Sequence, residues 1–349
     1  MVKGIGPARV RRLREYFGSL SRAWEADSAA LREAGLDQRA LDSLLEARRT
    51  LNLDAELARL DKLGIAALTC EDEDYPSRLL TIDDPPPVLY LRGSLVEADD
   101  WAVAVVGTRR ATPYGRQVTY QLAYELAANR VTIVSGLARG IDAEAHQAAL
   151  DAGGRTIAVL GSGLHEIYPP EHRMLAAEII QRGAIMTSYP LGTPPEARNF
   201  PPRNRIISGL CLGVVVTEAG EGSGALLTAE VAAEQGRDVF AVPGNITAQG
   251  SAGVNRLIQD GAQPVLAARD ILDQLELARV TNYVEARQEL PPVGQVERAL
   301  LDHLGAEPLH VDELCRMVGL PVAQVSSTLA MLELKGIVRQ VGAMTYTRT

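Results

Sequence analysis

The chain has 349 residues, 46% of them hydrophobic and 4% aromatic, with a formal net charge of −9. That length calls for two or three domains; the apolar runs are mostly four to seven residues long, far short of a membrane span, and no charged-then-apolar leader opens the sequence. Cys70, Cys211 and Cys315 lie far apart without CxxC spacing, which excludes a cysteine metal cage and a disulfide framework and suits the cytoplasm.

Residues 1–62 read as a helical domain. Val2-Lys3-Gly4-Ile5-Gly6-Pro7, followed by Val10, Leu13 and Phe17, is a Gly-x-Gly turn running into an amphipathic helix. It resembles a helix-hairpin-helix element, whose backbone amides hold a DNA phosphate and whose first helix would here precede Met1. A small helical bundle that serves packing alone is the other reading. Leu41, Leu44 and Leu45, then Leu51, Leu53, Leu57 and Leu60, give a further helical stripe.

Residues 63–290 make up the second expected domain. Glu71-Asp72-Glu73-Asp74-Tyr75-Pro76 reads as a loop, and Pro85-Pro86-Pro87 as a stiff turn before a strand at 88–91. From residue 101, short apolar runs recur at 102–106, 131–134, 156–160, 184–187, 212–216 and 239–242. Helical patterns at 115–129, 141–152, 172–182, 225–235 and 252–259 separate most of them. Continuous apolar strands alternating with helices predict a doubly wound, mostly parallel α/β sheet covered on both faces.

Pro291-Pro292 marks a linker into the third domain, 291–349. Three helical patterns come first, the last two forming a helix-turn-helix around Gly319-Leu320-Pro321. A wing-like hairpin over 336–346 follows, and together these suggest a winged helix.

In a parallel doubly wound sheet, ligands bind beyond the carboxyl ends of the strands. Five Gly-rich turns fall on that edge: Gly107-Thr108-Arg109-Arg110, Ser135-Gly136-Leu137-Ala138-Arg139-Gly140, Gly161-Ser162-Gly163, residues 220–224, and Pro243-Gly244-Asn245. Glycine lets backbone approach an anion, and Arg109, Arg110 and Arg139 offer guanidinium forks. Asp142 either caps the helix after Gly140 or orients Arg139. Glu218, just past a strand, either bonds a ribose or base or caps the helix at 224–226. The stretch 198–207 sets Phe200 among Arg198, Arg203 and Arg205 where a helix starts. Its Pro201 and Pro202 fit a first turn whose N–H groups have no partner. An aromatic ring, arginines and a helix N-terminus suit a phosphate-bearing ligand with a base to stack. Residues 101–208 carry 11 basic and 8 acidic residues, the one net-positive section of an acidic chain.

Templates for catalysis are missing. There is no GxGxxG, GxxxxGK[ST], GxSxG or HExxH, and the spacing of His146, His165 and His172 does not call for a metal. The expectation is therefore no catalytic residue, no metal and no cofactor.

Six segments carry a resemblance. Val105-Val106-Gly107-Thr108-Arg109, Ser135-Gly136-Leu137-Ala138-Arg139-Gly140-Ile141-Asp142, Asn199-Phe200-Pro201-Pro202-Arg203-Asn204-Arg205-Ile206-Ile207, Gly224-Ala225-Leu226-Leu227-Thr228-Ala229, Val242-Pro243-Gly244-Asn245 and Gly253-Val254-Asn255-Arg256-Leu257-Ile258 resemble, in order, the motifs of the DprA/Smf family. They cover about residues 101–266. The resemblance implies a Rossmann-like core that binds single-stranded DNA, protects incoming strands, forms homodimers and loads the RecA recombinase during natural transformation and recombination. It implies a DNA pocket built from Arg109, Arg110, Ser135, Gly136, Arg139, Gly140, Phe200, Arg203, Asn204, Arg205, Gly244, Asn245 and Asn255. Many relatives use lysine there; this chain has none between 101 and 290, so arginine carries the anion work.

The winged helix fits duplex reading poorly. Its presumed recognition helix, 322–334, offers Gln324, Ser326, Ser327 and Thr328 and no cation until Lys335, which favours contact with a protein. A competing class is a nucleotide-processing enzyme of the same superfamily, such as a phosphoribohydrolase. The corresponding region, Ala219-Gly220-Glu221-Gly222-Ser223-Gly224 and then Glu230, lacks the proline, double glycine and threonine of the PGGxGTxxE motif.

Overall fold

Branched apolar runs too short for helices become strands of a nine-stranded sheet in this computed structural model. It describes residues 2, 4–277, 295–305, 308–334, 337–342 and 344–348, in two units divided after Leu277. The strands are β1 (Ala66–Thr69), β2 (Val88–Gly93), β3 (Ala102–Val106), β4 (Thr132–Ser135), β5 (Thr156–Val159), β6 (Ala184–Thr187), β7 (Gly213–Val216), β8 (Asp238–Ala241) and β9 (Gln263–Pro264), in the order β1-β2-β6-β5-β4-β3-β7-β8-β9. From β6 to β9 all neighbours are parallel; β2 pairs antiparallel with β6, and β1 with β2. Every residue of β3 through β7 is buried, as helices on both faces require.

The chain winds β3-β4-β5-β6 to one side, then crosses back and pairs β7 with the other edge of β3. The loops after β3 and β7 therefore diverge at one place, and a crevice opens between them. The connecting helices are α6 (Pro113–Ala128), α7 (Ile141–Asp151), α8 (Arg173–Arg182), α9 (Phe200–Gly209), α10 (Gly224–Glu234) and α11 (Ala252–Gln259), with α12 (Ala268–Gln274) ending this unit. The six expected strands and five expected helices are present with ends moved by a residue or two. The edge strand β1, the two-residue β9 and α12 are additions.

Before the sheet come α1 (Pro7–Phe17), α2 (Leu20–Glu25), α3 (Ser28–Glu33), α4 (Gln38–Thr50) and α5 (Leu53–Lys62). The first four share a core of Leu13, Leu31, Leu36, Leu41 and Leu44. The leucine stripe does not continue unbroken. Asn52 accepts the Ala55 N–H and starts α5 as a new helix, which leaves Leu51, Leu53 and Leu57 exposed. Leu60 packs in one cluster with Ile65, Leu160, Leu164 and Ile179, so α5 shares the core of the following domain.

In the second unit, α13 (Gln295–Leu301), α14 (Val311–Val318) and α15 (Val322–Leu334) pack on a small sheet of β10 (Leu309–His310), β11 (Val338–Gly342) and β12 (Thr345–Arg348), ordered β10-β12-β11. Leu300, Leu314, Val325, Leu329, Val338 and Tyr346 form its core. This is the expected winged helix. Along α15, Ser327 and Thr328 both donate to the Gln324 carbonyl, turning two of the four expected polar groups onto their own helix. The Pro291-Pro292 linker, the 290/291 boundary and Lys335 lie outside the described residues.

Candidate nucleic-acid interface

A cleft of about 450 Å³ opens at the switch point of the sheet. Four segments make its walls: Val106–Arg110 at the end of β3, Ala138 and Asp142 around the start of α7, the α9 face of Phe200, Arg203, Asn204 and Ile207, and the start of α10 from Ser223 to Thr228. The four α9 residues follow i, i+3, i+4, i+7, one face of a helix. Ser223 caps α10 through the Ala225 N–H, and Thr112 caps α6 through the Gly115 N–H.

Phe200 is the centre of the site. The guanidinium carbon of Arg109 lies 4.9 Å from its ring centroid and that of Arg203 lies 5.4 Å away, both within cation–π range. Gly161 abuts the ring: a Cβ there would sit 3.0 Å from Phe200 Cδ1. The ring is thus framed on several sides, where the sequence suggested a bare stacking surface. Arg109 and Arg110 are exposed at the cleft mouth.

Arg203 is held differently. It is 4% exposed, and its Nη1 donates to the Gly136 carbonyl at 2.7 Å and the Val159 carbonyl at 2.6 Å, while Nε donates to Asn204 Oδ1. One side chain from α9 thereby ties down the turns after β4 and β5. Burial draws its pKa down to about 10, against the opposing pull of Asp142. Asp142 is itself buried; its carboxylate accepts the Gly136 and Ala138 N–H groups at 3.2 and 3.3 Å. Burial raises its pKa, and Arg203 opposes that shift. Asp142 thus braces the loop beneath the cleft and faces Arg203; Arg139 is turned elsewhere.

The other expected residues separate into four places. Ser135 is fully buried and donates to the Val105 carbonyl, so it pins β4 to β3 from beneath. Gly136 leaves room for Arg203: a Cβ would lie 2.2 Å from Nη1. Arg139 and Gly140 line a neighbouring shallow shelf that meets the cleft at Arg109. There Arg139 Nε donates to Glu171 at 2.5 Å, a bond that holds the Glu171 carboxyl below its ordinary range. Gly140 has φ +75°, and a Cβ there would lie 2.4 Å from the Thr108 carbonyl oxygen. Gly244, Asn245 and Asn255 do not line the cleft. Asn255 clasps both backbone groups of Gly244, and Asn245 caps its own turn through Thr247. Arg205 points off another face of α9 into a separate groove.

Two further readings are corrected. Glu218 neither caps α10 nor lines the cleft; it is buried, and its Oε2 accepts the Thr112 N–H at 2.9 Å. The α9 N-terminus is poor in donors, because Pro201 and Pro202 have no N–H and Phe200 N–H already bonds Ala197. It contributes its dipole rather than an amide cradle. Ser223, Ala225 and Thr228 at the start of α10 were missed as cleft residues; their signal was the Gly-rich segment before them. Among the described residues no group of histidine, cysteine and acidic side chains could hold a metal, and no helix is long and apolar enough to cross a membrane.

Fold and cleft define a Rossmann-like α/β protein with an arginine-lined cleft at its switch point and no dinucleotide fingerprint. The family model of DNA recombination-mediator protein A matches residues 66–276, and that of the DprA winged helix domain matches residues 284–344. Protein Smf of Synechocystis sp. is 37% identical over 99% of this chain and 96% of its own length. The X-ray structure of DNA processing protein A from Streptococcus pneumoniae superposes with a TM-score of 0.70 at 36% identity, covering 78% of this chain and 94% of that one. DNA processing protein A from Helicobacter pylori, whose structure is described for its single-stranded DNA binding mode, has a TM-score of 0.55 at 33% identity, covering 60% of this chain and 95% of that one. The chain belongs to the DprA/Smf family of DNA recombination-mediator proteins.

Proposed function

We propose that the cleft grips single-stranded DNA without regard to sequence. The observation that carries this is the exposed Arg109 guanidinium set over Phe200, with the buried charge of Arg203 beneath. Arg109 and Arg110 take phosphates by charge-assisted hydrogen bonds. An unpaired base stacks on the outward plane of the Arg109 guanidinium, which Phe200 backs, as bases do on arginine planes. A paired base has no free face to offer. Ser223 and Thr228 line the wall made by the start of α10. The H. pylori relative supports the ligand class.

Membership in the family extends the proposal to protection of incoming strands, RecA loading in natural transformation and recombination, homodimer formation and a cytoplasmic setting. The winged helix then serves protein contact rather than duplex reading. An enzymatic reading gains nothing from the geometry: Glu230 is exposed on α10 and does not line the cleft. Fluorescence anisotropy tests the central reading. Oligo-dT should bind the protein more tightly than a duplex of equal length, and Arg109→Ala should weaken it about tenfold or more, the scale of one charge-assisted contact. Equal affinity for both DNA forms contradicts the reading. Recombinase assembly on oligo-dT, with and without this protein, tests the loading role.

A further inference from the structure

On the far face of α9 from the cleft lies a second groove, of about 510 Å³. Its walls come from two parts of this unit: Val2, Ile5, Pro7 and Val10 from α1 and the segment leading into it, and Pro87, Tyr90, Tyr189 and Arg205 from the core. Tyr90 and Tyr189 are half-buried, and Tyr189 is anchored by its hydroxyl on the Asn199 carbonyl. Arg205 is half-buried, and among the described residues its side chain makes no hydrogen bond or ion pair. Among the described residues the one acidic side chain lining the groove, Asp84, is engaged by Arg11 at 2.9 Å. The groove is thus apolar and ring-lined, with one unanswered positive charge. That is the chemistry of a site for a ring that carries an anion.

We infer that this groove is a second nucleotide subsite for the same DNA strand, with Arg205 on a phosphate and the tyrosine–proline surface against a base. The inference rests on the proposed use of the cleft. Continuity supports it: the cleft takes Phe200, Arg203 and Asn204 of α9, and the groove takes Pro202, Arg205 and Ile206 of the same helix. A helix is about 10–12 Å across, so a strand leaving the cleft over the Phe200-Pro201-Pro202 ridge reaches Arg205 within a few nucleotides. Since one wall is the segment leading into α1, the strand would be clamped between the N-terminal domain and the core. This gives the N-terminal helices a part in DNA binding through packed side chains, in place of the backbone amides of a helix-hairpin-helix.

The test is a length series on the full chain, with three-nucleotide oligo-dT, too short to cross α9 from the cleft, and fifteen-nucleotide oligo-dT, long enough to occupy both. Arg205→Ala should leave the three-nucleotide affinity unchanged and weaken the fifteen-nucleotide affinity about tenfold, with a smaller salt slope. Arg205→Lys should recover most of the loss. Arg109→Ala should weaken both lengths. Thermal unfolding of Arg205→Ala should match the parent, because no partner is orphaned. If Arg205→Ala binds both lengths as the parent does while Arg109→Ala fails at both, the groove inference falls and the cleft reading stands. If Arg109→Ala has no effect on either, the cleft reading falls. If free dTMP protects the parent but not Arg205→Ala against heat, and strand affinity is unchanged by the substitution, the groove takes a free nucleotide and the strand assignment is overturned.

Discussion

The Arg109 guanidinium carbon stands 4.9 Å from the centre of the Phe200 ring, which joins the loop after β3 to the first turn of α9 across the cleft. An aromatic ring in this position holds a cation in place and gives it a flat backing. The consequence is that ring and guanidinium act as one surface toward a ligand. Phe200→Ala should therefore weaken binding although the base lies on Arg109, because it frees Arg109 to wander. Loss of about 1–3 kcal/mol of single-strand binding is expected. In a double-mutant cycle with Arg109→Ala the two losses should not add, and titration of each variant with oligo-dT measures it.

Arg203 supports the site more than it touches ligand. Removing it leaves the Gly136 and Val159 carbonyls without its donor and Asp142 without its buried counter-charge. Arg203→Ala should destabilise the fold by about 3 kcal/mol, as loss of one partner of a buried pair does. Denaturant unfolding reads this directly. A variant as stable as the parent would show that Arg203 is a ligand contact and nothing more.

Gly136→Ala tests the same latch from the other side. Its Cβ would meet Arg203 Nη1 at 2.2 Å and Cζ at 2.6 Å. A free arginine would swing aside, but this one is pinned by two carbonyls. Overpacking of about 1–3 kcal/mol is expected in the unfolding midpoint, together with weaker DNA binding.

Acid should unfold the protein in part through His146. Its Nδ1 lies 2.6 Å from Thr156 Oγ1, which itself donates to the Ile133 carbonyl, so Nδ1–H is the donor. Burial lowers its pKa from 6.5 to about 3. The unfolded chain then binds the extra proton first, so stability is lost as pH falls through 6.5 toward 3, at up to about 1.4 kcal/mol per pH unit. Asp142, with a raised folded pKa, works in the opposite direction as it protonates. His146→Asn keeps a donor for Thr156 and should flatten the acid slope of the melting temperature.

Glu171 competes with phosphate for Arg139 on the exposed shelf beside the cleft. Glu171→Gln should tighten binding of long oligo-dT about two- to threefold at low salt, the modest effect of an exposed pair, and the gain should fade as salt screens it. Because Arg139 holds the Glu171 carboxyl below its ordinary range, the gain should not vary with pH near neutrality.

The strands were legible because β3 to β7 are buried on both faces and so read as unbroken apolar runs. β1 was not, since its residues are mostly exposed on an edge and its pairing with β2 is a tertiary fact. Within the site, Arg109, Arg110 and Phe200 stood out as charge and ring beside glycine. Arg203 and Arg205 looked equivalent in sequence. Two residues of helix turn one into the core and the other to a separate groove, and only packing decides which. Gly136 suggested an anion cradle but answers to a neighbouring arginine. Asn245 and Asn255, named through motif likeness, serve the turn at Gly244.

The most direct measurement is a crystal structure of the protein with a short oligo-dT. The strand should lie in the cleft with phosphates against Arg109 and Arg110 and a base on the Arg109–Phe200 stack. A strand bound away from that cleft, with Arg109 still covering Phe200 as it does here, would contradict the account.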